Sequence, residues 1–172
     1  MSEELIVRLC APTLAGLKTG SLFSAAFTER DEIFQEIRAL NQILTPRGLR
    51  AIPVRFTSRY TLIYLYCPDQ LSEDLEKPEV MEILAEMGYS VRNPHQCVRQ
   101  LISRLENSEA FPHEIGLFLG YPPADVRGFI HNPNEGVKGV GYWKVYSDLD
   151  RAEKLFAKYK HCTEAYIREL RS

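Results

Sequence analysis

The segment 60–67, YTLIYLYC, constrains the fold of this 172-residue chain more than any other stretch. Successive side chains of a β-strand point to opposite faces of its sheet. Here both sets are largely apolar, with Leu62, Tyr64 and Tyr66 on one face and Ile63, Leu65 and Cys67 on the other. Because a strand with two apolar faces is normally covered on both, the sequence predicts a central strand between two layers of helices.

Two further segments are predicted to join this sheet. Residues 49–57 read as a strand that precedes 60–67 across a turn at Ser58 and Arg59. Pro53 lacks an N–H for the hydrogen-bond ladder, which favours an edge position. The word HEIGLFLG is almost continuously apolar, so residues 114–119 are expected to form a second central, buried strand.

Helical patterns alternate with these strands. Helices are expected in residues 2–10 (ending at Pro12), after a cap at Thr28, near 70–76, in 78–87, from Asn93-Pro94, from Pro122-Pro123 to about Ile130, and after a cap at Ser147. Seven helical stretches and about five strands, with one antiparallel pair, predict an α/β fold: a single mixed sheet covered by helices, with α+β as the alternative. Residues 1–172 are expected to form one domain.

Composition narrows the functional classes. Hydrophobic residues make up 45% and charged residues 26%, as in ordinary globular proteins. A net charge of -2 gives no support for nucleic-acid binding, and no apolar run approaches the roughly 18–20 residues of a membrane helix. The start MSEELIVRLC carries two early acids and is not typical of a secretory signal. We therefore expect a cytoplasmic protein that binds neither nucleic acid nor membrane.

The four cysteines are far apart and form no C-x-x-C pair, which favours a reducing compartment. His95-x-Cys97 and His161-Cys162 would supply four zinc ligands if the fold brought them together. Isolated buried cysteines are common, however, and this is the favoured interpretation. We predict no metal and no disulfide, and the sequence leaves any other cofactor open.

The segment from His113 to Ser147 is predicted to run strand, Pro-rich turn, helix, Gly-bearing loop and strand. Joints of this kind are where open α/β sheets usually bind ligands. Gly120 permits a sharp turn, and the next helix could present N–H groups to an anion, although Pro122 and Pro123 remove two donors. The alternative is a rigid turn in which Asp125 is merely a favourable acid at the start of the helix.

Two more patterns carry candidate chemistry. His113 and Glu114 could act as an acid–base pair, but a solvated His beside a carboxylate is favoured.

Alternation over residues 139–146 places Trp143 and Val145 on a core face and Tyr142, Lys144 and Tyr146 on the other. A lysine between aromatic rings can make cation–π contacts or bind a phosphate or carboxylate. Alternatively its stem covers apolar surface and the ammonium reaches water.

The stretch LAGLKTGS resembles a phosphate loop only superficially, because the G-x-x-x-x-G-K-[ST] pattern is absent. Lys18, Thr19 and Ser21 could still bind an anion in a Gly-shaped turn, although a plain chain reversal is favoured. The candidate ligand-binding residues are therefore Lys18, Ser21, Tyr121, Tyr142 and Lys144.

No motif assigns catalytic residues. The favoured function is a non-catalytic ligand-binding or interaction and regulatory domain; the alternative is an enzyme acting on a small anionic metabolite, a phosphate or a carboxylate. A protein partner could instead dock on the Tyr-rich strand face. A concave pocket around Lys144 would favour the small ligand, and a flat patch the partner. The oligomeric state stays open.

Several words of the sequence resemble a known family. FPHEIGLFLGYPPADVRGF and GYWKVYSD, followed by an A-x-x-x-F helix and KHC, are similar to an uncharacterised conserved family of anaerobic Firmicutes. CAPTLAGLKTGSLFS, LIYLYCPDQL and EMGY fit the same family, so the resemblance spans nearly the whole chain. It implies a bacterial, cytoplasmic, one-domain protein of a domain-of-unknown-function group, and supplies no catalytic residue.

Overall fold

The computed structural model describes residues 1–26, 28–90, 93–108 and 110–172. The α-helices are α1 (Glu3–Leu14), α2 (Arg30–Leu44), α3 (Pro68–Leu75), α4 (Pro78–Glu86), α5 (Pro94–Asn107), α6 (Pro123–His131) and α7 (Leu149–Arg171). Two 3-10 helices span Thr45–Arg47 and His113–Leu119. The strands are β1 (Gly20–Ala26), β2 (Arg50–Phe56), β3 (Tyr60–Tyr66), β4 (Gly139–Val140) and β5 (Lys144–Val145).

The main sheet has three antiparallel strands in the order β1-β3-β2. The central position predicted for residues 60–67 is therefore confirmed, and so is the edge position predicted from Pro53 in β2. The ladder between β2 and β3 shifts register between Pro53 and Arg55. The sequence also favours a short strand over residues 22–27; β1 covers this segment up to Ala26, and Phe27 lies outside the described residues.

The two faces of β3 enter two separate cores. Leu62, Tyr64 and Tyr66 pack with side chains of α3, α4, α5 and the 3-10 helix at 113–119. Ile63 and Leu65 pack with α1 and α2 through Cys10, Ile33 and Ile37, among others. The predicted two-sided burial is confirmed, and with it the layered α/β class.

The expectation of a strand at 114–119 is wrong. His113–Leu119 is a 3-10 helix that ends at Gly120 in the left-handed conformation, with φ +82°. A short apolar run does not distinguish a buried strand from a buried helical turn. Here Pro112 precedes the segment, and local hydrogen bonds satisfy its backbone without a neighbouring strand. The Tyr64 hydroxyl donates to the Phe118 carbonyl oxygen at 2.5 Å, which fixes the turn against β3.

The strands form two sheets rather than one, and every described pairing is antiparallel. Residues 139–146 form a small hairpin, β4–β5, instead of one continuous strand. The argument from the joints of an open parallel sheet therefore does not apply. Helix α7 follows the hairpin and lies against α1, where the Cys162 thiol donates to the Ala11 carbonyl oxygen at 3.6 Å.

Three helix boundaries also differ from expectation. Helix α1 continues through Pro12 to Leu14, because buried packing of residues 10–13 outweighs the one backbone hydrogen bond that proline removes. Glu29 rather than Thr28 precedes α2, without a side-chain cap. Asp148 rather than Ser147 caps α7, by accepting from the Arg151 N–H at 3.1 Å. Within the described ranges, no helix is both long enough and apolar enough to cross a bilayer.

Candidate functional site

A cavity of about 590 Å³ opens between the α1–β1 loop, the 3-10 helix at 113–119, α6 and the β4–β5 hairpin. Its volume falls within the range of small-molecule sites, roughly 300–1,000 Å³. The five candidate residues come from three separate parts of the chain, and all of them line this cavity: Lys18, Ser21, Tyr121, Tyr142 and Lys144. The remaining wall is mostly apolar: Leu9, Leu22, Ala110, Phe111, Pro112, Ile115, Gly116, Leu119, Val126, Phe129 and Trp143, with His113 and Asp125.

Lys18 is the most unusual side chain of the cavity. The residue is only 8% exposed, and its ammonium donates to the Gly20 carbonyl oxygen at 2.5 Å. Its Nζ also lies 5.4 Å from the centre of the Tyr121 ring. Among the described residues, no carboxylate lies within 4.0 Å of this nitrogen. The site therefore holds a buried cation without a countercharge there.

Burial lowers the pKa of Lys18 from 10.5 to about 8, and the Coulombic effect of Cys10 opposes this change only in part. Burial likewise raises the pKa of the Cys10 thiol to about 12. Desolvation disfavours the charged form of each group, which is the physical cause of both shifts. A strongly shifted group in a cleft is typical of functional sites.

Ser21 lies on β1 beside this lysine and is 5% exposed. Its hydroxyl is 2.6 Å from that of Thr13 in the last turn of α1. Thr19, which was considered with them, instead donates to the Asp74 carboxylate at 2.5 Å. Ser21 therefore belongs to the wall of the cavity, and Thr19 ties the loop to α3.

Tyr121 and Trp143 form an aromatic wall opposite the loop. Their ring centres are 4.9 Å apart, and the Trp143 indole makes an edge contact with Phe156 at 4.7 Å. Burial raises the pKa of Tyr121, with a smaller Coulombic contribution from Tyr159. The phenol is therefore neutral at physiological pH, and it offers a hydroxyl together with an aromatic face.

The three residues of the expected face, Tyr142, Lys144 and Tyr146, have different partners. Tyr142 lies in the hairpin turn and is 43% exposed. The centre of its ring lies 5.5 Å from that of Phe156 and 5.2 Å from that of Tyr159. The Tyr146 hydroxyl donates to the Asn132 carbonyl oxygen at 3.0 Å. The aromatic partner of Lys144 is Phe129 of α6, with 5.7 Å between Nζ and ring centre.

Lys144 is half-buried, and its ammonium donates to the Pro133 carbonyl oxygen at 2.8 Å. Trp143 and Val145 are buried as predicted. We expect Lys144→Ala to lower the free energy of unfolding by about 0.5–1 kcal/mol, because the stem loses packing and the ammonium loses one hydrogen bond. Urea unfolding measures this, and a loss above about 2 kcal/mol would show that Lys144 is structural.

Asp125 organises the site, and the sequence assigned it only the role of an acid at the start of a helix. Its carboxylate is 3% exposed and accepts four hydrogen bonds. The donors are the Trp143 indole N–H (2.9 Å), the backbone N–H groups of Tyr146 (2.8 Å) and Ser147 (2.9 Å), and the Ser147 hydroxyl (2.8 Å). One carboxylate thus joins α6 to the hairpin and to the start of α7. The signal in sequence was its position two residues after Pro123, in the first turn of α6.

His113 and Glu114 diverge, so they form no acid–base pair. His113 is exposed, lines the cavity and lies edge-on to Phe129, with 4.8 Å between ring centres. Glu114 is fully buried, accepts from the Tyr89 hydroxyl at 2.9 Å and lies 3.3 Å from the Arg104 guanidinium. His113 is solvated, as in the favoured interpretation, and the carboxylate beside it in sequence, Glu114, is part of a buried ion pair.

The two His/Cys pairs lie on different helices, α5 and α7. The Cys97 thiol donates to the Ser90 carbonyl oxygen at 3.7 Å, while the Cys162 thiol faces α1. In the part of the chain that the structure describes, no three His, Cys, Asp or Glu side chains are placed to hold a metal ion. The absence of metal and of disulfides stays a prediction, for which elemental analysis and thiol titration are the measurements.

Replacing Lys18 by Met is expected to raise the free energy of unfolding at pH 7 by about 1–3 kcal/mol. The lowered pKa corresponds to a charge penalty of about 3 kcal/mol in the folded state, while loss of the bond to Gly20 costs about 1 kcal/mol. As the pH rises from about 8 to 10.5, folded Lys18 releases its proton before the unfolded chain does. The wild-type protein therefore gains stability over this range, and the advantage of the variant shrinks.

Urea unfolding of both proteins at pH 7 and pH 10 measures this difference. Lys154→Met is the control, since Lys154 is exposed on α7. A Lys18→Met variant that is less stable than wild type at pH 7, or whose advantage does not change with pH, would contradict the cost that we assign to this buried ammonium.

Comparison with known proteins bears on the whole chain. A search of curated proteins and a search of solved structures each returned no match. A family model does match, over residues 6–172, which include most of α1, every later element through α7 and every residue that lines the cavity. The chain therefore belongs to the family described as "Protein of unknown function (DUF3793)".

Proposed function

We propose that this protein binds a small organic anion with a substantial apolar part, in the cavity between the α1–β1 loop, α6 and the hairpin. The observation that carries the proposal is Lys18: a buried cation, without a described carboxylate partner, at the wall of a largely apolar cavity. An anionic group placed there would supply the missing countercharge. Its attraction to the ammonium would be stronger than in water because the site is desolvated.

The walls define the rest of the ligand. Phe111, Phe129, Tyr121 and Trp143 offer aromatic surface, which suits a planar or aliphatic body rather than a heavily hydroxylated one. Lys144 adds a second ammonium at the same cavity. A carboxylate with an aromatic body therefore fits better than a bare inorganic anion.

A concave site around Lys144 favours a small ligand over a flat docking surface for a protein partner. We propose a non-catalytic binding or regulatory role in a bacterial cytoplasm, without nucleic acid or membrane as partner. The alternative is an enzyme acting on a small anionic metabolite. Such an enzyme needs a reactive group at this site, and Lys18 is the side chain whose surroundings fit a reactive group.

The test uses a matched pair of probes, 4-methylbenzoate and 4-methylbenzamide, which share shape but differ in charge. Trp143 is the only tryptophan of the chain and lines the cavity, so its fluorescence reports binding. We expect the benzoate to bind more tightly than the amide, and Lys18→Met to weaken benzoate binding at least about tenfold, or 1.4 kcal/mol. Lys154→Met is the matched control and should leave the affinity unchanged.

Equal affinity for the two probes, or unchanged benzoate binding in Lys18→Met, would contradict an anion site at Lys18. Native mass spectrometry of the freshly purified protein provides an independent measurement. We expect a co-purifying species of low mass that is released on denaturation and is depleted in the Lys18→Met preparation.

A further inference from the structure

We propose that the ligand of this cavity carries a carbonyl group besides its anionic group, and that the Lys18 amine forms a reversible imine with it. This proposal rests on the proposed function, because it places the same class of ligand in the same cavity. It adds a covalent step, and it names the class of ligand as an aldehyde or ketone that also carries an acid group.

The first argument is geometric. An amine that attacks a carbonyl carbon must be accessible to the ligand, held in place and unpaired with a carboxylate. Lys18 lines the cavity, is fixed by one bond to the Gly20 carbonyl oxygen and has no carboxylate within 4.0 Å among the described residues. A backbone carbonyl can accept from a neutral amine, more weakly than from an ammonium, so this contact does not require the proton.

The second argument concerns the state of the nitrogen. Only the unprotonated amine has the lone pair that attacks, and desolvation by the apolar wall favours this form. The pKa of Lys18 is lowered to about 8, so an appreciable fraction is unprotonated at neutral pH. An exposed lysine, with an ordinary pKa near 10.4, is almost entirely protonated there.

The surrounding groups leave this amine free to react. The titratable side chains at the cavity are Cys10 next to Lys18, Tyr121 beside it, and Asp125, His113, Tyr142 and Lys144 along the walls. The Asp125 carboxylate is committed to its four donors. Lys144 is therefore the second cation, placed to pair with the acid group while Lys18 reacts with the carbonyl group.

The step balances without a redox partner. The Nζ lone pair forms a bond to the carbonyl carbon, the carbonyl π electrons move to oxygen, and one Nζ proton passes to that oxygen. The resulting carbinolamine breaks its carbon–oxygen bond, and the hydroxyl group leaves as water with the second Nζ proton, which leaves a carbon–nitrogen double bond to Lys18. Hydrolysis reverses the step, so the product is a bound imine rather than a turned-over ligand.

The experiment traps the imine with 4-carboxybenzaldehyde, the carbonyl counterpart of 4-methylbenzoate. The full chain is incubated with the aldehyde and sodium cyanoborohydride, which reduces imines to stable secondary amines. Intact-mass analysis then counts adducts and peptide mapping locates them. We expect one dominant adduct at Lys18, formed at least tenfold faster than at Lys154, and slowed by excess 4-methylbenzoate.

The pH profile is the second measurement. Labelling of Lys18 should level off as the pH rises past its pKa of about 8 and most of the amine becomes unprotonated, whereas labelling of exposed lysines should keep rising towards pH 10. Lys18→Met should lose the dominant adduct and keep the slow surface background. Circular dichroism of that variant establishes that it is folded, so the loss of the adduct reports the missing amine.

The outcomes separate the two proposals. If 4-methylbenzoate binds through Lys18 but the aldehyde labels Lys18 no faster than Lys154, the imine proposal is overturned and the anion site stands. If Lys18 is labelled selectively while the benzoate neither binds nor slows the labelling, the anion site is overturned, and the acid group that we assign to the imine ligand is overturned with it. If the benzoate does not bind and Lys18 is not labelled selectively, both proposals are overturned.

Discussion

Replacing Asp125 by Ala is expected to lower the free energy of unfolding by about 3–5 kcal/mol. The carboxylate accepts from Trp143, Tyr146 and Ser147 in a nearly dry environment. Hydrogen bonds to a charged acceptor are each worth about 1.5–3 kcal/mol, and removing the acceptor leaves donors unsatisfied in the folded state. The loss should therefore rank among the largest for a single substitution.

Denaturant unfolding of Asp125→Ala measures the loss, and Asp150→Ala is the matched control because Asp150 is an exposed acid two residues after the Asp148 cap. The control should change stability by less than about 0.5 kcal/mol. The loss of unfolding free energy in Asp125→Asn should lie between those of Asp125→Ala and Asp150→Ala. The asparagine amide keeps one acceptor oxygen, but its NH2 group places a donor against one of the groups that donate to Asp125. A loss below about 1 kcal/mol in Asp125→Ala would show that water replaces the carboxylate and that the clamp is not structural.

The second large effect is expected for Trp143→Ala, at about 3–5 kcal/mol. Trp143 is 6% exposed and packs on Tyr121 and Phe156, while its indole N–H donates to Asp125. Truncation removes apolar contacts, opens a void that the hairpin cannot fill and leaves the carboxylate with one donor fewer. The same change enlarges the cavity, so the affinity for 4-methylbenzoate should also fall.

Val140→Ala is the control within the same hairpin, because Val140 is 71% exposed. It should change the free energy of unfolding by less than about 0.5 kcal/mol. Trp143→Phe keeps part of the ring contact but not the hydrogen bond, so its free energy of unfolding should fall less than that of Trp143→Ala. If the alanine variant unfolds at the wild-type denaturant midpoint, the hairpin is not part of the cooperative unit and the cavity wall that we describe is not fixed.

These two residues show why the site was only partly predictable. Alternation in a short stretch was enough to place Trp143 in the core, since a tryptophan flanked by polar residues normally faces inward. The role of Asp125 depends on four donor groups of three residues that lie 18 to 22 positions further along the chain. No local pattern records a contact of that separation, so the sequence assigned Asp125 only the role of a favourable acid at the start of a helix.

The five candidate ligand residues were chosen one by one, for a Gly-bearing turn, a strand end and a lysine between aromatic residues. All five line one cavity, although the reason offered, a joint in an open parallel sheet, was wrong. What brings them together is the 3-10 helix at 113–119, which replaces the expected strand. The short apolar run at 115–119 fits either form, and only packing against Tyr64 and α6 selects the helical turn.

The sequence by itself determined the central position of β3, its two buried faces, the edge position of β2 and most of the helices. These properties follow from periodicity, because side-chain direction repeats every two residues in a strand and every 3.6 in a helix. Tertiary structure alone decided the conformation of 113–119, the division into two sheets, the burial of Glu114 and the isolation of Lys18. Each of these depends on which distant groups meet and how much water they exclude, and the free energy of a buried charge is set by those neighbours rather than by the local sequence.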